Sequence, residues 1–227
     1  MQSLCLLFAG RRGLEETLTR NSILRIPEVS RKLKEAQNII DQILEKGVHV
    51  DLYSFVQSTD GLFNSNSSLK SLVAGIVQIG LFDRFVKYRS RPQFLVGRIN
   101  GCSAIKVCAG LQSIEDFIVT SDYCKENTLI ARFTQQNARL AGVKLEEYGA
   151  LQWNEEGFYK NLIQESKGSS AIMEELSSSY LVNQCVHVGP CYDFRLKEFD
   201  NAGLYNLSSM SSIDLDPILS SFWKSAI

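Results

Sequence analysis

The sequence predicts an α/β protein built on a mainly parallel sheet, and three observations carry that expectation. Short apolar runs alternate along the chain with longer stretches of helical period, the pattern of strand–helix–strand units. The 227 residues are 44% hydrophobic and 22% charged. A chain of this size buries roughly 70% of its unfolded surface without disulfides or a structural metal. Finally, one apolar strand runs directly into a glycine-bounded turn and a helix, at residues 94–110.

The first element is the apolar run Leu4 to Gly10, read as a buried strand. It is too short to cross a membrane and lacks a preceding basic region, so neither a span nor a signal peptide is expected. Pro27 then opens a helix at its first turn. Val29, Leu33, Ala36, Ile40, Ile43 and Leu44 recur at helical spacing until Gly47, which is read as its stop. A second helix, over Leu69, Leu72, Val73, Ile76, Val77, Leu81 and Phe85, is apolar on more than one side, as a central helix would be. The cations at its end, Arg84, Lys87, Arg89 and Arg91, read as a solvated face complementing the helix dipole.

After the Arg91-Pro92 break come a strand at Phe94-Leu95-Val96, a tight turn at Gly97 to Gly101, and a helix from Cys102 to Gly110. This is the context of a nucleophile elbow, in which flanking glycines let strand and helix approach closely and hold the central side chain out beside the helix amides. Farther on, Thr128 to Leu140 and Gly157 to Ile163 read as helical, and Val186-His187-Val188 as a strand end. The C-terminal segment from Asn206 combines serine turns (Ser208, Ser209, Ser211, Ser212) with an apolar patch, Ile218, Leu219, Phe222 and Trp223, which either caps the core or docks a partner.

Charge and cysteine usage exclude several functions. With 24 basic against 25 acidic side chains the net charge is −1, so the footprint of a general nucleic-acid binder is missing. Cys5, Cys102, Cys108, Cys124, Cys185 and Cys191 form no CxxC pair, and the only histidines are His49 and His187. No metal-ligand spacing results, and no cofactor is expected. Reduced thiols in a cytoplasmic protein fit best, at least four of the six acting as small core hydrophobes.

The segment from Val77 to Asp116 resembles the core of the malonyl-CoA:acyl-carrier-protein acyltransferases and of the acyltransferase domains of polyketide synthases. Gly97 and Gly101 fall on the two glycines of the family's GHSLG elbow. Ala109-Gly110 and Ser113-Ile114-Glu115-Asp116 match the end of one helix and the start of the next. Looser matches frame it: Leu6 to Gly10 resembles the strand before the family's PGQGSQ loop, and Val186 to Pro190 resembles a late VGPG turn. The resemblance implies a three-layer, α/β-hydrolase-like core in one domain. Its core would span residues 1–125 and 165–200, with a reduced insertion at 126–164 and a C-terminal extension at 201–227.

The same alignment implies lost chemistry. The acylated serine falls on Ile99 and the histidine before it on Arg98, and an aliphatic side chain forms no acyl-enzyme. The PGQGSQ glutamine falls on Arg11, and the arginine that pairs with a malonyl carboxylate falls on Cys124. The family's general-base histidine has no counterpart, because no histidine lies between Gly110 and Val186. That interval is also short and reads without alternating strand patterns, so the family's ferredoxin-like small subdomain is expected to be deleted or reduced.

Cys102 and Ser103 are the candidates for a displaced nucleophile, but on a helix they sit about one turn below the tip. His187 is a conceivable base whose ordinary reading is a core-edge histidine bonded to backbone. Arg11, Arg12, Arg98 and the amides near Asn100 would converge where the strands end, as an anion site for coenzyme A, a phosphopantetheine arm or an acyl carrier protein. The competing reading pairs these arginines with acids such as Glu15 and Glu16.

Three functions fit these residues. The first is a pseudoenzyme, a non-catalytic acyltransferase homologue that binds or scaffolds in fatty-acid or polyketide biosynthesis beside a carrier protein, ketosynthase or other synthase subunit. The second is an acyl-carrier-protein S-malonyltransferase or acyl hydrolase using unconventional residues. The third is a protein-interaction module unrelated to acyl chemistry.

Overall fold

The computed structural model describes residues 3–8, 23–44, 48–57, 67–88, 92–98, 104–127, 148–164, 169–180, 182–188 and 204–206. They form a mixed α/β structure around a six-stranded sheet. In chain order the elements are β1 (Ser3–Phe8), α1 (Pro27–Ile43), α2 (Leu52–Gln57), α3 (Ser67–Tyr88), β2 (Phe94–Arg98), α4 (Ala104–Cys108), α5 (Ile114–Val119), α6 (Asp122–Asn127), β3 (Tyr148–Trp153), β4 (Tyr159–Gln164), α7 (Ser169–Tyr180), β5 (Val182–Val188) and β6 (Leu204–Asn206). The strand order is β4-β3-β2-β1-β5-β6. Strands β2, β1, β5 and β6 run parallel, and β3 and β4 extend the sheet as an antiparallel hairpin.

Strand β1 explains why its sequence is apolar without alternation. Leu4, Leu6 and Phe8 enter the larger core, while Cys5 and Leu7 enter a second cluster on the opposite face. A central parallel strand is covered on both sides, so neither parity of its residues meets water. The larger core lies beneath α1 to α6; the smaller is closed by Ile172 and Leu176 of α7, with Tyr180 set edge-on to Phe94 at 5.8 Å.

Helices α1 and α3 form the main layer on the larger core. Pro27 stands in the first turn of α1, and Val29, Leu33, Ala36 and Ile40 form its buried stripe. Val29, Leu33 and Ile40 each contribute about 1.5–3 kcal/mol when fully buried, and Ala36 less. The helix ends at Ile43 with Leu44 already extended, not at Gly47, which lies outside the described residues. Gln37 ties α1 to the start of α2, donating to the Val50 carbonyl at 2.8 Å and accepting from the Leu52 amide at 2.9 Å.

Helix α3 is the central helix the sequence predicts, buried over nearly its whole circumference. Its small residues set the packing distance: a Cβ on Gly80 would stand 2.6 Å from Val29 Cα, and one on Gly75 would strike the Phe117 ring. The basic run at its end keeps the expected solvated face at Lys87, which is exposed, and departs from it at Arg84. Arg84 is buried and pairs with the equally buried Glu28 of α1 at 3.4 Å, and Lys87 reaches the same carboxylate at 2.7 Å. Arg89 and Arg91 lie outside the described residues.

The segment Gly157 to Ile163, whose spacing predicts a helix, is instead the turn and strand of the β3–β4 hairpin. Its turn is built by Asn154, whose side chain accepts from the Phe158 amide at 3.0 Å, and by Gly157 at φ +87°. Trp153 and Tyr159 then meet edge-to-face across the hairpin, ring centres 4.9 Å apart. Part of the stretch assigned to a reduced insertion thus joins the main sheet, which corrects the expectation that it lacks strands. Thr128 to Leu140 lies outside the described residues, as does the apolar patch at Ile218 to Trp223, whereas Leu204–Asn206 of the extension adds the edge strand β6.

Candidate functional site

The candidate site is the end of the sheet where β1 and β2 finish side by side. Their register pairs Leu7 with Val96, which brings Phe8 level with Gly97. Glycine is required there by space: an added Cβ would lie 2.9 Å from Phe8 Cβ, 3.0 Å from the Phe8 carbonyl oxygen and 3.6 Å from Ile105 Cδ1 on α4. Phe8 in turn rests on Phe82 of α3, ring centres 6.2 Å apart. Strands β1 and β2 therefore pack at close quarters with α4 in contact, and α4 is closed by Ala109 and by Gly110 at φ +76°.

Strand β2 is longer than its apolar run. Gly97 and Arg98, expected in the turn, are strand residues paired with Gly149 and Tyr148 of β3. The antiparallel neighbour supplies ladder bonds that no local pattern in residues 94–98 announces. Of the predicted elbow, Gly97 is buried in the sheet and Arg98 ends the strand. Ile99, Asn100, Gly101, Cys102 and Ser103, the Arg98 side chain, and Arg11 and Arg12, the residues of the expected anion site among them, lie outside the described residues.

Other positions from the alignment are well placed. Ser113 caps α5, its Oγ accepting from the Asp116 amide at 2.9 Å and donating to the Asp116 carboxylate at 2.7 Å. Cys124, which stands where the resemblance puts a carboxylate-binding arginine, is fully buried in α6, and burial pushes its thiol pKa up. Burial, with the neighbouring Cys124, also raises that of Tyr123. A protonated thiol in an apolar core offers no positive charge to an acyl carboxylate.

Of the two histidines, His187 lies at the expected strand end, one residue before the end of β5, and His49 lies apart from it. His49 is exposed, beside Asp51 at the start of α2. His187 is the register partner of Leu7, on the far side of β1 from β2, and its side chain lies outside the described residues. The four described cysteines, Cys5, Cys108, Cys124 and Cys185, are buried and in no disulfide, the core role the sequence predicts. Among the described residues no group of three or more His, Cys, Asp or Glu side chains is placed to hold a metal. None of the described helices is long and apolar enough to cross a membrane.

Two cavities have no counterpart in the sequence reading. A cleft of about 560 Å³ opens between α1 and α3, lined by Pro27, Glu28, Arg31, Asp83 and Lys87. Its charges satisfy one another: Arg31 meets Asp83 at 3.2 Å, and Lys87 and Arg84 meet Glu28. Burial alone would raise the Glu28 carboxyl pKa, but the hydrogen bonds from Lys87, its own backbone and Arg84 outweigh it and hold the value below 4.5. The one signal in the letters is an acid placed beside Val29 at the head of an apolar stripe. The second cavity, of about 60 Å³, is lined by Ser68, Ser71, Leu72, Phe117, Ser121 and Asp122.

Comparison of the chain with protein-family models, with curated proteins and with solved structures returns no match.

Proposed function

We propose that this chain is a catalytically inactive acyltransferase homologue with an acyltransferase-like three-layer core, which binds or scaffolds in fatty-acid or polyketide biosynthesis. The observation that carries the reading is the sequence Gly97-Arg98-Ile99-Asn100-Gly101, an elbow with its glycines kept and a hydrocarbon at its centre. Support comes from the packing at Gly97, where Phe8 of β1 leaves no room for a Cβ and Ile105 of α4 stands in ordinary contact at 3.6 Å, so that a glycine is kept where the resemblance puts one. The buried thiol of Cys124 at the malonyl-arginine position agrees with it, since acyl selection by charge is then lost as well.

Retention of structural glycines with loss of the nucleophile leaves binding as the activity available to the site. The ligand expected is the phosphate-bearing end of coenzyme A or a phosphopantetheine arm, held by Arg11, Arg12, Arg98 and the amides near Asn100, or an acidic carrier protein docked on the same arginines. The test incubates the protein with labelled malonyl-CoA and acetyl-CoA, reads intact mass for a covalent adduct, and assays transfer to a carrier protein and thioester hydrolysis. No adduct and no turnover are expected, together with saturable binding of coenzyme A or carrier protein that weakens in Arg98→Ala. Label on Cys102 or Ser103, or turnover that survives purification, overturns the inactive reading in favour of an unconventional enzyme. Binding no stronger than in Arg98→Ala removes the acyl connection and leaves an interaction module.

A further inference from the structure

Cys5 and Cys185 are register partners on the neighbouring parallel strands β1 and β5. Partnered residues send their side chains out of the same face of a sheet, and adjacent strands lie about 4.8 Å apart. That spacing falls inside the Cα separation of about 4.4–6.8 Å at which disulfides form. Both side chains belong to the smaller core, at 0% and 1% exposure, under Ile172 and Leu176 of α7. Both are free thiols. Burial, and then the Cys185 thiol in hydrogen-bonding reach, hold the Cys5 pKa well above 9.0. Cys108 and Cys124, by contrast, sit on helices α4 and α6 in the larger core, and neither is placed opposite another cysteine in the sheet.

We propose that Cys5 and Cys185 form an oxidisable dithiol, a disulfide site that fastens β5 to the central strand β1 across a loop of roughly 180 residues, where cross-links stabilise most by loop entropy. The oxidant is a low-molecular-weight disulfide such as oxidised glutathione. One cysteine thiolate attacks it, forming a mixed disulfide and releasing one glutathione thiol. The second cysteine then displaces the other glutathione, so that two protein thiols and one glutathione disulfide become one protein disulfide and two reduced glutathiones.

Burial sets the conditions of this reaction. The first attack needs a thiolate in contact with the oxidant, and the folded core offers neither, so it proceeds through transient parting of β5 from β1. The second step is favoured by reclosure, because the ladder returns the two sulfurs to adjacent positions. Bond formation draws the Cβ atoms toward about 3.8 Å, closer than an ordinary ladder holds them, and this strain offsets part of the loop-entropy gain.

The experiment treats the reduced chain with oxidised glutathione in native buffer, alkylates remaining thiols in denaturant, and maps unreduced peptides by mass spectrometry. Alkylated cysteines are expected to fall from the six in the sequence to four, with a peptide linking Cys5 and Cys185. The linkage should be absent in Cys5→Ala and in Cys185→Ala. The melting temperature of the oxidised chain should exceed that of the reduced chain, a rise abolished in Cys185→Ala. Six alkylated cysteines, glutathione adducts without the internal link, or a link between any other pair overturns the proposal. The wild-type peptide map decides the matter alone if either alanine variant fails to fold.

Discussion

Replacing Gly97 by alanine tests the close packing on which the elbow reading rests. Gly97 is not among the described glycines with positive φ, so alanine adds no backbone strain and its effect is one of space. The new Cβ would meet Phe8 Cβ at 2.9 Å and the Phe8 carbonyl oxygen at 3.0 Å, both atoms fixed at the central strand. Strand β1 cannot retreat, because β5 is hydrogen-bonded along its other edge. Overpacking of this kind costs about 1–3 kcal/mol. The smaller entropy of the unfolded alanine chain offsets about 0.4–1 kcal/mol of that. A net loss of about 1–2 kcal/mol lowers the melting temperature by roughly 2–8 °C in a chain of this size.

Urea titration followed by tryptophan fluorescence measures the loss, and Gly110→Ala serves as the contrast. Nothing lies within 4 Å of a Cβ built on Gly110, so its cost would come only from φ +76°. Truncating Phe82 to alanine should relieve neither penalty, because the atoms that meet the new Cβ at position 97 are Phe8 Cβ and its carbonyl oxygen, not the ring that rests on Phe82. A Gly97→Ala protein within about 0.5 kcal/mol of wild type would refute the reasoning, since surface changes of no consequence fall in that range.

The buried carboxylate of Glu28 gives a pH-dependent prediction. Its folded pKa lies below 4.5, so its contribution is fully present above that value and is lost as pH falls through the folded pKa. Glu28→Gln should flatten the acid limb of the stability curve below about pH 4.5 and cost about 2–3 kcal/mol at pH 7 by leaving Arg84 buried without its carboxylate; denaturation midpoints from pH 3 to pH 7 check both, and an unchanged acid limb counts against the assignment. Tyr159→Phe should cost about 1–2 kcal/mol, because the hydroxyl is buried and donates to the Pro92 carbonyl at 2.8 Å. A neutral result in thermal unfolding would mean that water replaces that bond. Ser113→Ala should cost about 1 kcal/mol by removing the α5 cap, read from the same unfolding curves, and equal stability would deny the cap a role.

Much of the fold is legible in the letters because the apolar stripes of its helices are local. The spacing 29, 33, 36, 40 is the buried face of α1, and the continuous apolar character of 69–85 is that of α3, enclosed on several sides. The hairpin misleads for a related reason. Phe158, Tyr159, Leu162 and Ile163 recur at spacings that also fit a helix, and only pairing with residues 148–153 selects the extended form. Arg84 looks like a surface cation at the end of a helix until α1 brings Glu28 against it from 56 residues away. For the candidate site, the glycine at 97 and the hydrocarbon at 99 are visible in the sequence.

The order of residues by itself determined which stretches of α1 and α3 coil, the apolar first strand, and the hydrocarbon side chain at position 99. Those depend on side-chain period and functional groups, which act within a few residues. Tertiary structure alone decided that β3 and β4 join the sheet antiparallel, that Arg84 is buried on Glu28, that position 97 has no room for a methyl group, and that Cys5 faces Cys185. Each of these is a meeting of segments far apart in sequence, settled by which apolar surfaces cover one another rather than by any local preference.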